Sequence, residues 1–191
     1  MIAFDSRHSL IIAVLLGALA APEAGASPQF TKTGSGTVYW VADGDTMIVS
    51  GIAEDVYRAI RRHAEAAQRA TSRNLRVDDR FNDRHRSMLV RIGNIDAPES
   101  VHHDPSLNTD QGQAAADYVR HLLTDREVEF VCWRIGFFGR PICSLYGGEF
   151  GLDFDLGVHL IEKGLAEYVD RFGLHPFWPQ RYIDASKADA K

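Results

Sequence analysis

The stretch TVYWVADGDTMIVS, Thr37–Ser50, holds two β-rich runs, Thr37–Val41 and Thr46–Ser50, around Asp43-Gly44-Asp45. Asp-Gly between two such runs is a strong hairpin signal. Two carboxylates on one turn also admit a second reading, in which one of them faces a cation. An EF-hand loop is excluded, because Met47 stands at the third ligand position and no glycine follows at the sixth. The stretch alone leaves turn and ligand both open.

Downstream of the hairpin, Ala53 to about Ala70 predicts a helix with a thin apolar stripe, Val56, Ile60, Ala64 and Ala67, that packs weakly on one side. Residues 71–86 are polar and read as loop. Ser87–Ile95 reads as a strand stopped before Pro98, and Gln111–Leu123 as an amphipathic helix. Glu127–Trp133 and Pro141–Tyr146 read as strands around a tip of Gly136 to Arg140. Leu156–Ala166 and about Pro179–Ala188 read as two further helices. Residues 27–36, with Gly34-Ser35-Gly36, read as a loose lead-in. There is no internal repeat and no sign of a second domain. Strands followed by helices interleaved with strands imply a small α+β domain built on a barrel.

The 191 residues suffice for one domain with a core, and 45% hydrophobic with 25% charged residues is ordinary globular composition. The first segment differs. Arg7 and His8 precede the apolar run Leu10–Ala20, and Ala24-Gly25-Ala26 supplies a small-x-small site. Residues 1–26 therefore read as a signal peptide, with an uncleaved anchor as the alternative. The expected protein is residues 27–191, a monomer, secreted or periplasmic, with no stable membrane insertion after cleavage. Export makes Cys132 and Cys143 either a disulfide across their hairpin or two buried thiols. A net charge of −5 argues against binding polyanions through bulk charge. Residues 53–86 nevertheless hold nine arginines against six acids.

Two further pieces bear on the turn. In VRIGNIDAPE, Val90–Glu99, an arginine on a strand precedes two carboxylates three residues apart around Pro98. In FGR, Phe138–Arg140, an arginine sits at a hairpin tip; alone it is a charged turn residue. Adjacent His102-His103 before Asp104 suggest a transition metal or, without further ligands nearby, a solvent-exposed loop.

DGDT, VRIGNIDAPE, the Gly112-x-x-Ala115 helix start, FGR and GLAEY (Gly164–Tyr168), in that order over most of the mature chain, resemble the thermonuclease (staphylococcal-nuclease-like) family. The resemblance implies a five-stranded OB-type β-barrel with three helices, here with an inserted helix-loop segment over about 51–87. It implies Ca²⁺-dependent hydrolysis of DNA or RNA phosphodiesters. By the same resemblance Asp45 and Asp96 are carboxylate ligands of the metal and the Ala97 carbonyl is a third ligand. Glu99 is the general base, and Arg91 and Arg140 are phosphate clamps. Asp43 is left to shape the turn. These residue types suit the chemistry: Ca²⁺ takes hard oxygen ligands, and arginine offers phosphate a permanently charged fork.

The chain departs from the family pattern at Gly136-Phe137-Phe138, which lacks the usual charged pair and tyrosine. It departs again after Gly164-Leu165-Ala166, where Glu167, Asp170 and Phe172 replace part of the base-stacking set. Residues 51–87 are longer than the family's connection, either an arginine-bearing flap over nucleic acid or a solvated decoration. The alternatives to an enzyme are an inactive OB-fold nucleic-acid-binding module and an envelope protein whose acids bind Ca²⁺ structurally.

Overall fold

The computed structural model describes residues 29–71, 73–100, 108–151 and 153–189. The leader expected over 1–26 and the His102-His103-Asp104 group lie outside the described residues. No helix among the described residues is long and apolar enough to cross a membrane.

Five strands close a mixed barrel: β1 (Lys32–Asp43), β2 (Thr46–Ser50), β4 (Ser87–Ile92), β6 (Glu127–Ile135) and β7 (Pro141–Tyr146). β1 pairs antiparallel with β2 and β6, β2 with β4, and β6 with β7. The ring is completed by a parallel pairing of β4 with β7, Arg91 opposite Ile142. The closed α+β arrangement is consistent with an OB-type barrel. The short strand β3 (Phe81–Asn82) extends it beside β4, and β5 (Ile95–Asp96) pairs with β8 (Glu167–Tyr168) in a separate two-stranded sheet. Val38, Met47, Val90, Phe130 and Leu145 fill the interior, each fully buried.

Among the described residues five α-helices surround the barrel: α1 (Glu54–Thr71), α2 (Val77–Arg80), α3 (Asp110–Leu123), α4 (Leu156–Glu162) and α5 (Pro179–Asp189). Three lie outside the 51–87 segment, as expected. α3 starts on Thr109, whose side chain accepts from Gly112 N at 2.9 Å, and α4 on Asp155, which accepts from Val158 N at 3.0 Å.

Four sequence readings need correction. The glycine-bearing lead-in is the first half of β1. A Cβ at Gly34 would lie 2.7 Å from the Phe130 ring and one at Gly36 2.7 Å from the Ser50 carbonyl, so these glycines admit close packing and do not mark a loop. α1 is not weakly packed: Tyr57, Ile60 and Ala64 are buried in the main core, with Ala59 also covered. The polar stretch 71–86 contains α2 and β3, whose Val77 and Phe81 are core residues. α4 ends at Glu162, because Gly164 takes φ 65° and Leu165 N returns to Leu160 O at 2.9 Å, the Schellman closure.

Cys132 and Cys143 face each other in the β6–β7 register and form a disulfide, with Cα atoms 4.0 Å apart. It lies beneath the hairpin tip that carries Arg140.

Candidate active site

The β1–β2 turn delivers Asp45 into the protein, where it is 2% exposed. Its Oδ1 accepts from Thr46 Oγ1 at 2.8 Å and from Arg91 Nη1 at 3.0 Å; its Oδ2 accepts from Ala97 N at 3.2 Å. Arg91 stands opposite Thr46 in the β2–β4 ladder. Its second nitrogen, Nη2, donates to Asp96 Oδ1 at 2.5 Å and to the Ile95 carbonyl at 3.4 Å. One guanidinium thus bridges two carboxylates that are 51 residues apart in the chain. Arg140 reaches back from the hairpin tip, donating to Thr46 Oγ1 at 2.9 Å. Asp45, Asp96, Ala97, Arg91 and Arg140 therefore form one connected group.

Glu99 follows on an exposed loop, with its backbone fixed. The Glu99 carbonyl accepts from Thr109 N at 3.0 Å, at the start of α3. A Cβ at Gly112 would sit 2.1 Å from that carbonyl oxygen, so the Gly112-x-x-Ala115 spacing belongs to the seat of this loop. Gly44 has a related purpose. It does not take a positive φ, and a Cβ there would lie 2.9 Å from Ala97 Cβ and 3.2 Å from Ala115 Cβ. The turn glycine is needed for closeness to the loop and α3, not for a left-handed backbone. Asp43 also acts beyond its turn: its Oδ1 accepts from Ser100 N at 3.2 Å and from Ser100 Oγ, tying the end of the Glu99 loop to the hairpin.

Arg91, Asp96, Glu99 and Arg140 line a cleft of about 590 Å³ that also receives Phe138 and Phe172. Asp45 lies behind this wall. Burial pushes the Asp45 carboxyl above the usual carboxylate range, and Arg91, Thr46, Ala97 N and Arg140 only partly oppose it. Burial also pulls Arg140 down, helped by Arg91 and Arg80 and opposed by Asp45 and Glu99. Arg140, with Arg91 and Arg80 as positive neighbours, is a group whose charge a nearby anion favours.

The donor set fits a hard cation. Among the described residues no group of three or more His, Cys, Asp or Glu forms a metal cage. Asp45 and Asp96, joined through Arg91, offer the hard carboxylate oxygens of the type that Ca²⁺ accepts. Arg91 already places positive charge between Asp45 and Asp96, and Asp45 is still undercompensated.

Sequence reasoning passed over three contributors. Thr46 is the acceptor for Arg140. Asn94, at φ 59°, donates from Nδ2 to the Val169 and Gly173 carbonyls at 3.0 and 2.8 Å, so the β4–β5 turn holds the loop that carries Phe172. Asn tolerates this left-handed conformation, so the Gly93-Asn94 pair was the available signal. Arg73, in the insertion, reaches the hairpin tip, with its guanidinium carbon 3.8 Å from the Phe137 ring centre; nothing local in the sequence announces that contact.

No protein-family model matches the chain, and no curated protein matches it.

Proposed function

We propose that the protein is a Ca²⁺-dependent nuclease that hydrolyses phosphodiester bonds of DNA or RNA. One observation carries the reading: Arg91 and Arg140 converge on the Asp45–Thr46 turn, beside Asp96 and on the same cleft as Glu99. Asp45, Asp96 and the Ala97 carbonyl would hold Ca²⁺, which when bound supplies polarisation of the phosphate. Arg91 and Arg140 bind the non-bridging phosphate oxygens and offset negative charge as it builds. Glu99 accepts a proton from the attacking water. The new bond joins water oxygen to phosphorus, the bond to the leaving sugar oxygen breaks, and that oxygen takes up a proton. Thr46 and the β6–β7 hairpin position Arg140; the α3 start positions Glu99.

The test is turnover of single-stranded DNA, duplex DNA and RNA by residues 27–191 with Ca²⁺, with Mg²⁺ and with chelator, beside Glu99→Gln and Arg91→Ala. Ca²⁺-dependent cleavage that falls by roughly 100-fold or more in Glu99→Gln is expected from loss of a general base. Cleavage that survives chelator and both substitutions would overturn the mechanism. Binding without any cleavage would leave a nucleic-acid-binding module.

A further inference from the structure

The insertion and the hairpin tip meet beside the clamp. A Cβ at Gly139 would lie 2.3 Å from the Leu75 carbonyl oxygen, and Arg80 Nε donates to the Phe138 carbonyl at 3.3 Å. The tip is thus backed by residues 75–80. Four of the insertion's nine arginines turn inward on its own acids and carbonyls: Arg58 to Glu54, Arg61 to Asp78 and Asp83, Arg76 to Asp79, and Arg86 to the Ile52 carbonyl. That weakens the idea of a broad cationic flap and leaves a more local arrangement.

Phe137 and Phe138 are 68% and 61% exposed, among the most exposed large apolar side chains of the described residues. Their ring centres are 5.1 Å apart at 77°, and Arg73 stacks on the Phe137 ring. Both rings line the cleft that holds Arg91, Glu99 and Arg140. Rings left in water two and three residues from a phosphate-matched arginine have a natural occupant. A nucleobase stacks on an aromatic face whatever its identity, and an adjacent guanidinium adds to the platform. In a duplex the bases are stacked and paired inside, so such a wall takes an unpaired base.

Resting on the nuclease reading above, we infer that Phe137, Phe138 and Arg73 form a stacking wall for an unpaired base next to the phosphate held by Arg140. The preferred ligand is single-stranded nucleic acid, and the insertion completes the wall.

The test is equilibrium binding in chelator, where nothing is cleaved. Three probes are compared: a labelled single strand of about eight nucleotides, within the span an OB fold covers, an abasic strand of equal length, and a duplex. Phe137→Ala/Phe138→Ala is expected to weaken the single strand by roughly 5- to 150-fold per base lost from the platform. It should leave the abasic strand and the melting temperature unchanged, and Phe137→Trp/Phe138→Trp should restore binding. Arg73→Gln is expected to cost roughly two- to fivefold on the single strand alone. Equal losses on the normal and abasic strands would overturn the wall, because the rings would then act only on the position of Arg140. No loss on a strand that the unmodified protein binds and cleaves overturns the wall and leaves the nuclease reading standing. A protein that neither binds nor cleaves any probe removes both.

Discussion

Replacing Arg91 with methionine keeps an unbranched stem and removes the charge that bridges Asp45 and Asp96. Asp45 is then buried without its main counter-charge. Breaking a buried pair by deleting one partner costs roughly 3–5 kcal/mol. The Arg91 side chain keeps 24% of its exposure, so solvent screens part of the loss, and about 3 kcal/mol is expected near neutral pH. For a domain of this size that is a fall of roughly 6–12 °C in melting temperature. The sign of the pH dependence follows from Asp45. Its carboxyl is already held above the ordinary range by burial, so the folded chain takes up that proton more readily than the unfolded chain. Ionising it therefore costs stability as pH rises through the folded value. Without Arg91 the folded value rises further. The deficit of Arg91→Met should be small in acid, where Asp45 is protonated in both states, and should grow toward neutrality. Urea unfolding of the unmodified protein, Arg91→Met, Asp45→Asn and the double variant, from pH 4.5 to 8, measures this. The double variant should recover most of the loss. Added Ca²⁺ should stabilise Arg91→Met and should not stabilise the double variant. A deficit independent of pH, or one that Asp45→Asn leaves untouched, would refute the reasoning.

Three other outcomes are expected. His175 is fully buried, with Nε2 on Ser144 Oγ at 2.8 Å and Nδ1 accepting from Trp178 N at 3.0 Å. Burial, helped by Arg181, holds it down at about 3. The folded state then binds fewer protons than the unfolded one below the ordinary histidine value. Stability is intact above about pH 6.5 and falls by up to about 1.4 kcal/mol per unit as pH drops, measured by urea titration, with the slope reduced in a His175→Gln variant. Replacing Cys132 and Cys143 with alanine should cost roughly 3 kcal/mol for so short a loop, read by denaturant unfolding, and should lower turnover through the hairpin tip that carries Arg140. Gly112→Ala must displace the Glu99 carbonyl; a stability loss of roughly 1–3 kcal/mol is expected, with turnover falling while single-strand binding in chelator is retained.

The hairpin around Asp43–Thr46 was legible because strand propensity and turn chemistry agree there, and β2 falls where the residues put it. The β6–β7 hairpin and its disulfide were legible for a similar reason: the two cysteines sit symmetrically about the tip. What escaped depends on contacts distant in the chain. Gly34 and Gly36 read as loop until the Phe130 ring and the Ser50 carbonyl are placed against them. α2 has four residues, too few for a period to show. The stripe of α1 looked thin because it left out Tyr57, which is buried. At the candidate site the sequence pointed to Arg91, Asp96 and Arg140, but not to Thr46 as the acceptor that joins the clamp to the turn. It also gave Asp43 only the turn, where the side chain in fact fastens the loop of Glu99.

The parallel seam between β4 and β7 sets when the clamp exists. Arg91 lies in that seam and Arg140 immediately precedes β7; the seam can form only after α3 and the whole β6–β7 hairpin have been laid down between them. Such long-range pairing is slow, because loop-closure entropy must be met before any contact compensates for it. A chain still being threaded or held open carries every residue of the candidate site and no clamp. On the proposed function, hydrolytic capacity therefore requires the closed seam and not only the full set of site residues.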